Sequence, residues 1–248
     1  MQIKLQSDFR DFYDHWFCGS HQEPDVVLSR MSEGGMSRPD MFKIFEQHGL
    51  IPPKHGIVRE LVPALQKEYG DPAGRLNNIM EVVVYLQPRA HRGEGKIKCS
   101  WQYALDFYPN KFAAKFIPAT QTGIGMSLRY LRVGTRQFWL KYTSANDWRS
   151  NCGDVSVELL SRETDLEEPP KLLPEHPLLA VDLLPIVRKV YAIDLNTAPG
   201  IKGTALEDQF SGKWIFEGIR SYCRLISQAE GLVGVALFNL FCPDYWKL

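Results

Sequence analysis

The most informative segment of this sequence is LLAVDLLPIVRKVYAIDLNTAPGIKGT, residues 178–204. It holds two apolar stretches that each end in an acid, Asp182 and Asp194. A tight turn between the two stretches would fold the segment into a hairpin with the two carboxylates side by side. Asn196 follows Asp194 by two positions, so both side chains leave the same face of an extended strand. The segment therefore predicts a β-hairpin that carries three oxygen-bearing side chains.

The three oxygen-bearing side chains form a donor set for a hard cation. Mg²⁺ prefers oxygen ligands, and it commonly binds one or two carboxylates together with the phosphates of a substrate. Asp182, Asp194 and Asn196 are therefore candidate metal ligands. The alternative is that Asp194 and Asn196 only end a strand, as such residues often do where a chain turns. The spacing alone leaves both interpretations open.

Segments typical of strands and helices extend along the chain on both sides of this hairpin. Short runs rich in β-branched and aromatic residues predict strands at 25–29, 81–87, 96–101, 112–118, 126–134, 136–144, 155–160 and 190–196. Helices are predicted at 37–49, 56–70 and 211–231. The first of them has Ser37 as its N-cap and Pro39 in its first turn. The expected fold class is α+β, with antiparallel strands in the middle of the chain.

The composition favours a folded cytoplasmic protein. Of the 248 residues 44% are hydrophobic, and 29 basic residues balance 29 acidic ones. A net charge of zero gives no general attraction to nucleic acid or to an anionic membrane, and neither is an expected partner. The five cysteines are scattered and form no CxxC pair, which favours reduced thiols. The longest apolar run, residues 231–242, is too short to cross a bilayer, and the first residues do not resemble a signal peptide.

The end of the hairpin, IDLNTAPGIKGT (193–204), resembles the late motif of ATP-grasp enzymes: acid, apolar residue, Asn, Thr or Ser, small residue, Pro, Gly. In that family a second acid lies on the preceding strand, where Asp182 stands. The usual acid of the motif is Glu, whereas Asp194 is shorter by one methylene and keeps the same type of ligand. The resemblance is to enzymes like the glutamate ligase of ribosomal protein S6 and D-alanine–D-alanine ligase. It implies that ATP and one or two Mg²⁺ ions bind here.

Three earlier segments follow the order of an ATP-grasp core. SRPDMFKIFEQHGLIPP (37–53) is similar to a helix whose basic residue contacts an ATP phosphate. EVVVYLQPRAHRGEGK (81–96) resembles a strand and a Gly-rich loop that closes over the phosphates. FAAKFIP (112–118) resembles the hinge strand whose backbone brackets adenine. The nucleotide-binding residues that these matches imply are Arg38, Arg89, His91, Arg92, Gly93, Gly95, Lys115, Phe116 and Ile117.

Two later segments supply the catalytic candidates. MSLRYLRVG (126–134) resembles a strand with an inward arginine, here Arg129, and residues 138–154 are similar to the strand and loop that follow it. The resemblance implies catalytic roles for Arg129, Lys141 and Arg149. Arg149 could instead only stack on Trp148, and Lys141 could be an ordinary surface residue. His91, in the Gly-rich loop, could likewise be an ordinary surface residue.

The resemblance also implies a domain organisation. Residues 1–55 would be a short, truncated region ahead of the core, residues 56–118 an N-terminal subdomain with the Gly-rich loop, and residues 119–248 a C-terminal subdomain with the metal site. The two α/β subdomains would sandwich the nucleotide. A second copy of the chain is a candidate supplier of the part missing from the first region, which makes a homodimer a partner hypothesis.

The sequence departs from the family at three positions. Tyr85 stands where the family has a phosphate-binding lysine, with Arg89 and Lys96 nearby as substitutes. Ala114 and Lys115 stand where a glutamate binds the ribose, and Ala180 replaces a catalytic arginine of several members. The expected function is an ATP- and Mg²⁺-dependent ligase that joins a small-molecule or peptide carboxylate to an amine. A phosphotransferase on the same fold and a nucleotide-binding protein without ligase activity are the alternatives.

Overall fold

The computed structural model describes residues 36–87, 95–165, 172–173, 178–187 and 189–196, together with Leu206, Gly218, Ser221 and Tyr222. The helices within the described ranges are α1 (Arg38–Gln47), α2 (Val58–Glu68) and α3 (Trp101–Phe107). The strands are β1 (His55–Ile57), β2 (Glu81–Tyr85), β3 (Lys96–Ser100), β4 (Phe112–Lys115), β5 (Met126–Val133), β6 (Arg136–Ser144), β7 (Val155–Asp165), β8 (Leu178–Ile186) and β9 (Lys189–Asn196). No described helix has the length and apolar character needed to cross a membrane.

The strands form two antiparallel sheets. The first has four strands in the order β1-β4-β2-β3, and the second has five in the order β7-β6-β5-β8-β9. Every ladder within them is antiparallel. The structure therefore confirms a mixed α+β fold with antiparallel sheets. The domain boundaries expected from the sequence stay predictions.

Both early helices form for the reasons that their sequences indicate. The Ser37 side chain accepts a hydrogen bond from the backbone N–H of Asp40 and so caps α1. The buried face of α1 includes Met41, Phe42 and Phe45. In α2 the apolar stripe is Val58, Leu61, Val62 and Leu65, and all four are buried.

Successive side chains of β2 point to opposite faces of its sheet and so belong to two different cores. Val82 and Val84 pack with α2 and α3 on one face of the four-stranded sheet. Val83 and Tyr85 point to the other face, where they join α1 and the buried face of β8 and β9 in a second core. This second core connects the two sheets, and the candidate site lies beside it.

The structure differs from the sequence prediction at the ends of two strands. Trp101 was expected to end a strand, but Ser100 instead caps α3 by accepting a hydrogen bond from the Tyr103 N–H. The strand expected at 155–160 continues to Asp165, paired with β6. The predicted strand at 25–29 lies outside the described residues, as does most of the predicted helix at 211–231.

Candidate functional site: a charged cleft between the two sheets

A cleft opens between the inner face of the four-stranded sheet and the β8–β9 hairpin. The first sheet contributes Val83, Tyr85, Lys96 and Ala114, followed by the segment from Lys115 to Ile117 after β4. The opposite wall is formed by Asp182, Leu184, Ile193 and Asp194, and the loop after β6 adds Trp148, Arg149, Ser150 and Asn151. Apolar walls with a few charged groups are typical of ligand sites.

The hairpin places the two aspartates as the sequence predicts. β8 and β9 pair antiparallel, and Asp182 lies directly opposite Asp194. The register shifts between Asp182 and Leu183, which marks a β-bulge. Because a bulge re-aims side chains, it explains why the consecutive residues Ile193 and Asp194 both line the cleft. Asn196 lies two positions further along β9, opposite Ala180.

Asp182 is held by an arginine of its own sheet. Arg129 of β5 lies opposite Asp182 of β8. Arg129 donates through Nε to Oδ1 at 2.6 Å and through Nη2 to Oδ2 at 2.8 Å. The guanidinium also lies 4.5 Å from the centre of the Tyr142 ring and donates to its hydroxyl at 3.3 Å. Two parallel hydrogen bonds and a ring contact fix the carboxylate firmly.

Asp194 is held instead by a residue from α1. Arg38, in the first turn of that helix, donates to Asp194 although 156 positions separate them in the sequence. The Arg38 guanidinium also lies 5.4 Å from the Tyr85 ring centre. Burial acts to raise the pKa of Asp194, but the charges of Arg38, Lys96 and Arg129 outweigh it, so the pKa lies below its usual range. Asp194 therefore carries a negative charge at neutral pH.

The donor types of the hairpin fit Mg²⁺, but both carboxylates already accept hydrogen bonds from arginines. Within the described ranges, no three His, Cys, Asp or Glu side chains lie close enough together to hold a metal ion. A metal site here would need Asn196 and oxygen atoms from a ligand in addition to Asp182 and Asp194. Phosphate oxygens would meet that need, because they complete the coordination of Mg²⁺ and accept hydrogen bonds from the arginines.

The three residues predicted to form the hinge, Lys115, Phe116 and Ile117, line the cleft. Lys115 pairs with Glu68 at 3.6 Å and lies 4.7 Å from the ring centre of Tyr69. Phe116 meets Trp148 edge to face, with ring centres 5.9 Å apart. Ile117 lines the same wall.

The base of the Gly-rich loop is described at one residue. Gly95 has a φ of 61°, a conformation that favours glycine, and its carbonyl accepts the Leu86 N–H at 2.7 Å. This hydrogen bond closes the loop between β2 and β3. Arg89, His91, Arg92 and Gly93 lie outside the described residues.

The remaining catalytic candidates lie in different places. Arg149 lines the cleft, where it donates to Asp147 at 2.9 and 2.7 Å and lies 5.7 Å from the Trp148 ring centre. The stacking alternative is thus present together with an ion pair. Lys141 is exposed and pairs with Glu158 at 3.4 Å. Because Leu140 is opposite Arg129, the adjacent Lys141 points to the other face of the sheet, and the structure does not bring it to the cleft.

Two aromatic residues of the site, Tyr142 and Trp148, were not predicted from the sequence. Tyr142 supports Arg129, and Trp148 lies against Phe116 and the amino group of Lys96. Tyr142 carries a signal, since it alternates with Leu140 and so shares the face of Arg129. Trp148 lies in a loop, where no periodicity indicates its direction.

The chain resembles several solved structures. No family model matches it, and no curated protein does. It is similar to the macrocyclase MdnC from Microcystis aeruginosa, solved with precursor peptide MdnA, at 13% identity over 81% of this chain and 63% of that one, with a TM-score of 0.39. It is similar to a RiPP-associated ATP-grasp ligase from Chryseobacterium gregarium, solved with ADP and a leader and core peptide, at 14% identity, 82% and 62% coverage and a TM-score of 0.45.

A third similar structure is D-alanine–D-alanine ligase from Bacillus anthracis complexed with ATP, at 15% identity, 81% and 70% coverage and a TM-score of 0.47. The chain spans less than two thirds of the length of the first two structures. ATP-grasp ligases are among the solved structures that it resembles.

Proposed function

We propose that this chain is an ATP- and Mg²⁺-dependent ligase of the ATP-grasp kind, which joins a carboxylate to an amine or a similar nucleophile. One observation carries the proposal. Arg38, Arg129, Asp182 and Asp194 converge beside one cleft, although they come from a helix and three strands far apart in the sequence. Alternating cations and carboxylates suit a ligand made of phosphates and a metal ion.

The hinge end of the cleft would receive the adenine. The N–H groups of Lys115 and Phe116 already donate to the carbonyls of Lys54 and Glu81, at 2.7 and 3.1 Å. The backbone of Ile117, next along the same wall, therefore supplies the donor and acceptor for the base. Phe116 and Trp148 supply the apolar surface beside it. The phosphates would then extend toward Asp182 and Asp194.

The hairpin end of the cleft would hold the metal. Asp182, Asp194 and Asn196 would bind Mg²⁺, which neutralises the charge of the phosphates when it is bound. Asp194 is the more accessible of the two acids, with 24% of its side chain exposed against 8% for Asp182. Asp194 therefore makes the first contact with an arriving Mg²⁺–nucleotide complex.

The proposed reaction has two steps. An oxygen of the substrate carboxylate attacks the γ-phosphorus, the bond from phosphorus to the β–γ bridging oxygen breaks, and ADP leaves. The nitrogen of the amine then attacks the acyl carbon, the bond to phosphate breaks, and the amine proton passes to solvent. Arg149 lines the cleft, and its positive charge would orient the substrate carboxylate while Asp147 holds the guanidinium in place. Arg129 fixes Asp182 for the metal.

One observation favours a second candidate, a nucleotide-binding protein without ligase activity. Both aspartates are paired with arginines, and Tyr85 occupies the position of a phosphate-binding lysine. A protein that only holds a nucleotide needs these charges for binding and does not need to transfer a phosphoryl group. Product analysis separates the two candidates.

The test is to incubate the purified protein with Mg²⁺, ATP and a pool of amino acids and short peptides, and to measure ADP and free phosphate. A ligase releases both products only when a carboxylate and an amine are both present. ADP without free phosphate would indicate a phosphotransferase. No product from a protein that binds ATP would contradict the ligase proposal and favour the binding protein. Asp194→Asn should abolish turnover. Asp154→Asn should keep it, because Asp154 is an exposed loop residue.

A further inference from the structure

Lys96 differs from other lysines of the two sheets. Lys98, Lys115 and Lys141 each lie within 3.6 Å of a carboxylate oxygen of Glu81, Glu68 and Glu158 respectively. In the described part of the chain, the amino group of Lys96 has no carboxylate within ion-pair distance. It lies 5.8 Å from the centre of the Trp148 ring. It is nevertheless a cleft residue.

The strand register places Lys96 beside Tyr85. The two residues lie directly opposite each other in the antiparallel β2–β3 pair. Directly opposed residues project from the same face of a sheet, so both side chains line the cleft. Burial raises the pKa of Tyr85 to about 12, and the phenol therefore remains neutral.

The charges of the cleft are unequal. Arg38 and Arg129 are matched by Asp194 and Asp182, and Arg149 is matched by Asp147. Lys96 therefore leaves one positive charge in excess. Burial lowers the pKa of its amino group, although the carboxylates of Asp194 and Asp182 act in the opposite direction. A cation held out of water without an ion-pair partner is costly, and an anionic ligand removes that cost.

We propose that Lys96 is the phosphate-binding cation of this cleft and supplies, from β3, the positive charge that Tyr85 does not supply from β2. The proposal rests on the proposed function for the identity of the ligand, a nucleoside triphosphate. The inference that Lys96 binds an anionic ligand rests only on the geometry of the cleft. Of the two substitutes that the sequence offered, Lys96 is the one that the structure describes in the cleft.

The test is isothermal titration of the full chain with a non-hydrolysable ATP analogue, with adenosine and with inorganic tripolyphosphate. Lys96→Met removes the charge and keeps the length, and Lys96→Arg keeps the charge. Lys141→Met is the control, because Lys141 is exposed outside the cleft and pairs with Glu158, whereas Lys98 lies 4.7 Å from the ring centre of Phe116 in the cleft wall. Circular dichroism checks that each variant is folded.

We expect Lys96→Met to weaken binding of the triphosphate by about 10-fold to 100-fold, the loss expected for one charge-assisted hydrogen bond. Adenosine binding should not change, Lys141→Met should stay within about 2-fold of the wild type, and Lys96→Arg should retain most of the affinity. Equal affinities for Lys96→Met and Lys141→Met would overturn the proposal while the nucleotide function stands. Loss in both Lys96→Met and Lys96→Arg would also overturn it, because the charge would then not be what matters.

The tripolyphosphate arm separates the two proposals. If the wild type binds tripolyphosphate through Lys96 but binds no nucleotide, the anion site stands and the nucleotide function fails. If the wild type binds neither ligand, both proposals fail.

Discussion

The two aspartates of the β8–β9 hairpin face each other but are held in different ways. Asp182 is paired within its own sheet by Arg129, whose position follows from the register of β5 and β8. Asp194 is paired across elements by Arg38, which belongs to a helix. The Asp194 side chain is also three times as exposed as that of Asp182.

This difference separates the roles of the two acids. A bidentate pair inside a sheet is part of the framework, because the ladder of β5 and β8 holds its two residues directly opposite each other. A pair between a helix and a strand end can exchange one partner for a ligand at lower cost. We therefore infer that Asp182 mainly stabilises the site and that Asp194 mainly meets the ligand.

The largest expected effect is on the framework pair. Asp182→Asn should lower the free energy of unfolding by about 3–5 kcal/mol, because it leaves the buried guanidinium of Arg129 without a countercharge. Urea denaturation followed by circular dichroism measures this loss. Arg129→Met combined with Asp182→Asn should recover part of it, and no recovery would show that the two residues act independently.

Asp194→Asn also leaves a buried guanidinium, that of Arg38, without its countercharge. It should nevertheless cost less, about 1–2 kcal/mol, because the Asp194 carboxylate is partly solvated and the asparagine can still accept a hydrogen bond from Arg38. The same urea denaturation gives the comparison. A cost equal to or larger than that of Asp182→Asn would remove the distinction between the two pairs.

Lys96→Met should change stability in the opposite direction. Removing a desolvated cation that has no carboxylate partner in the described structure should stabilise the protein by about 1 kcal/mol, or about 2–4 °C in Tm. Differential scanning calorimetry without ligand detects the shift. A lower Tm would mean that the charge of Lys96 contributes to folding.

The loss of unfolding free energy at low pH should depend on Asp194. Its pKa is lower in the folded protein than the value of about 3.9 in an unfolded chain. A depressed pKa gives stability that is present above the unfolded value and lost as the pH falls through the folded value. The difference in unfolding free energy between the wild type and Asp194→Asn should therefore shrink below about pH 4. A constant difference between pH 7 and pH 3 would contradict this pKa.

The smallest effect is expected outside the cleft. Lys141→Met removes an exposed ion pair with Glu158, and such pairs contribute less than about 1 kcal/mol. Stability and nucleotide binding should both stay close to those of the wild type. Clear loss of turnover in this variant would restore the catalytic role that the sequence suggested for Lys141.

Local patterns in the sequence predicted much of the framework. The hairpin follows from two apolar stretches with a turn between them, and its register places Asp182 opposite Asp194 as expected. α1 follows from Ser37 and Pro39. α3 was missed because its aromatic residues favour strand, although Ser100 is a typical N-cap.

The pairing of charges was beyond sequence reasoning. Arg38 was expected to meet a phosphate and Asp194 a metal, yet in the structure they bind each other, over a separation of 156 residues. Only the packing of α1 against β9 brings them together. The cleft position of Lys96 likewise depends on the β2–β3 register, which the sequence leaves open.

The most direct measurement is isothermal titration of the purified protein with a non-hydrolysable ATP analogue, with and without Mg²⁺. It should be repeated with Asp194→Ala and with Asp154→Ala, an exposed control. We predict binding that depends on Mg²⁺, is lost in Asp194→Ala and persists in Asp154→Ala. Absence of binding to the wild type at millimolar nucleotide, or equal binding by both variants, would contradict a nucleotide and metal site at this hairpin.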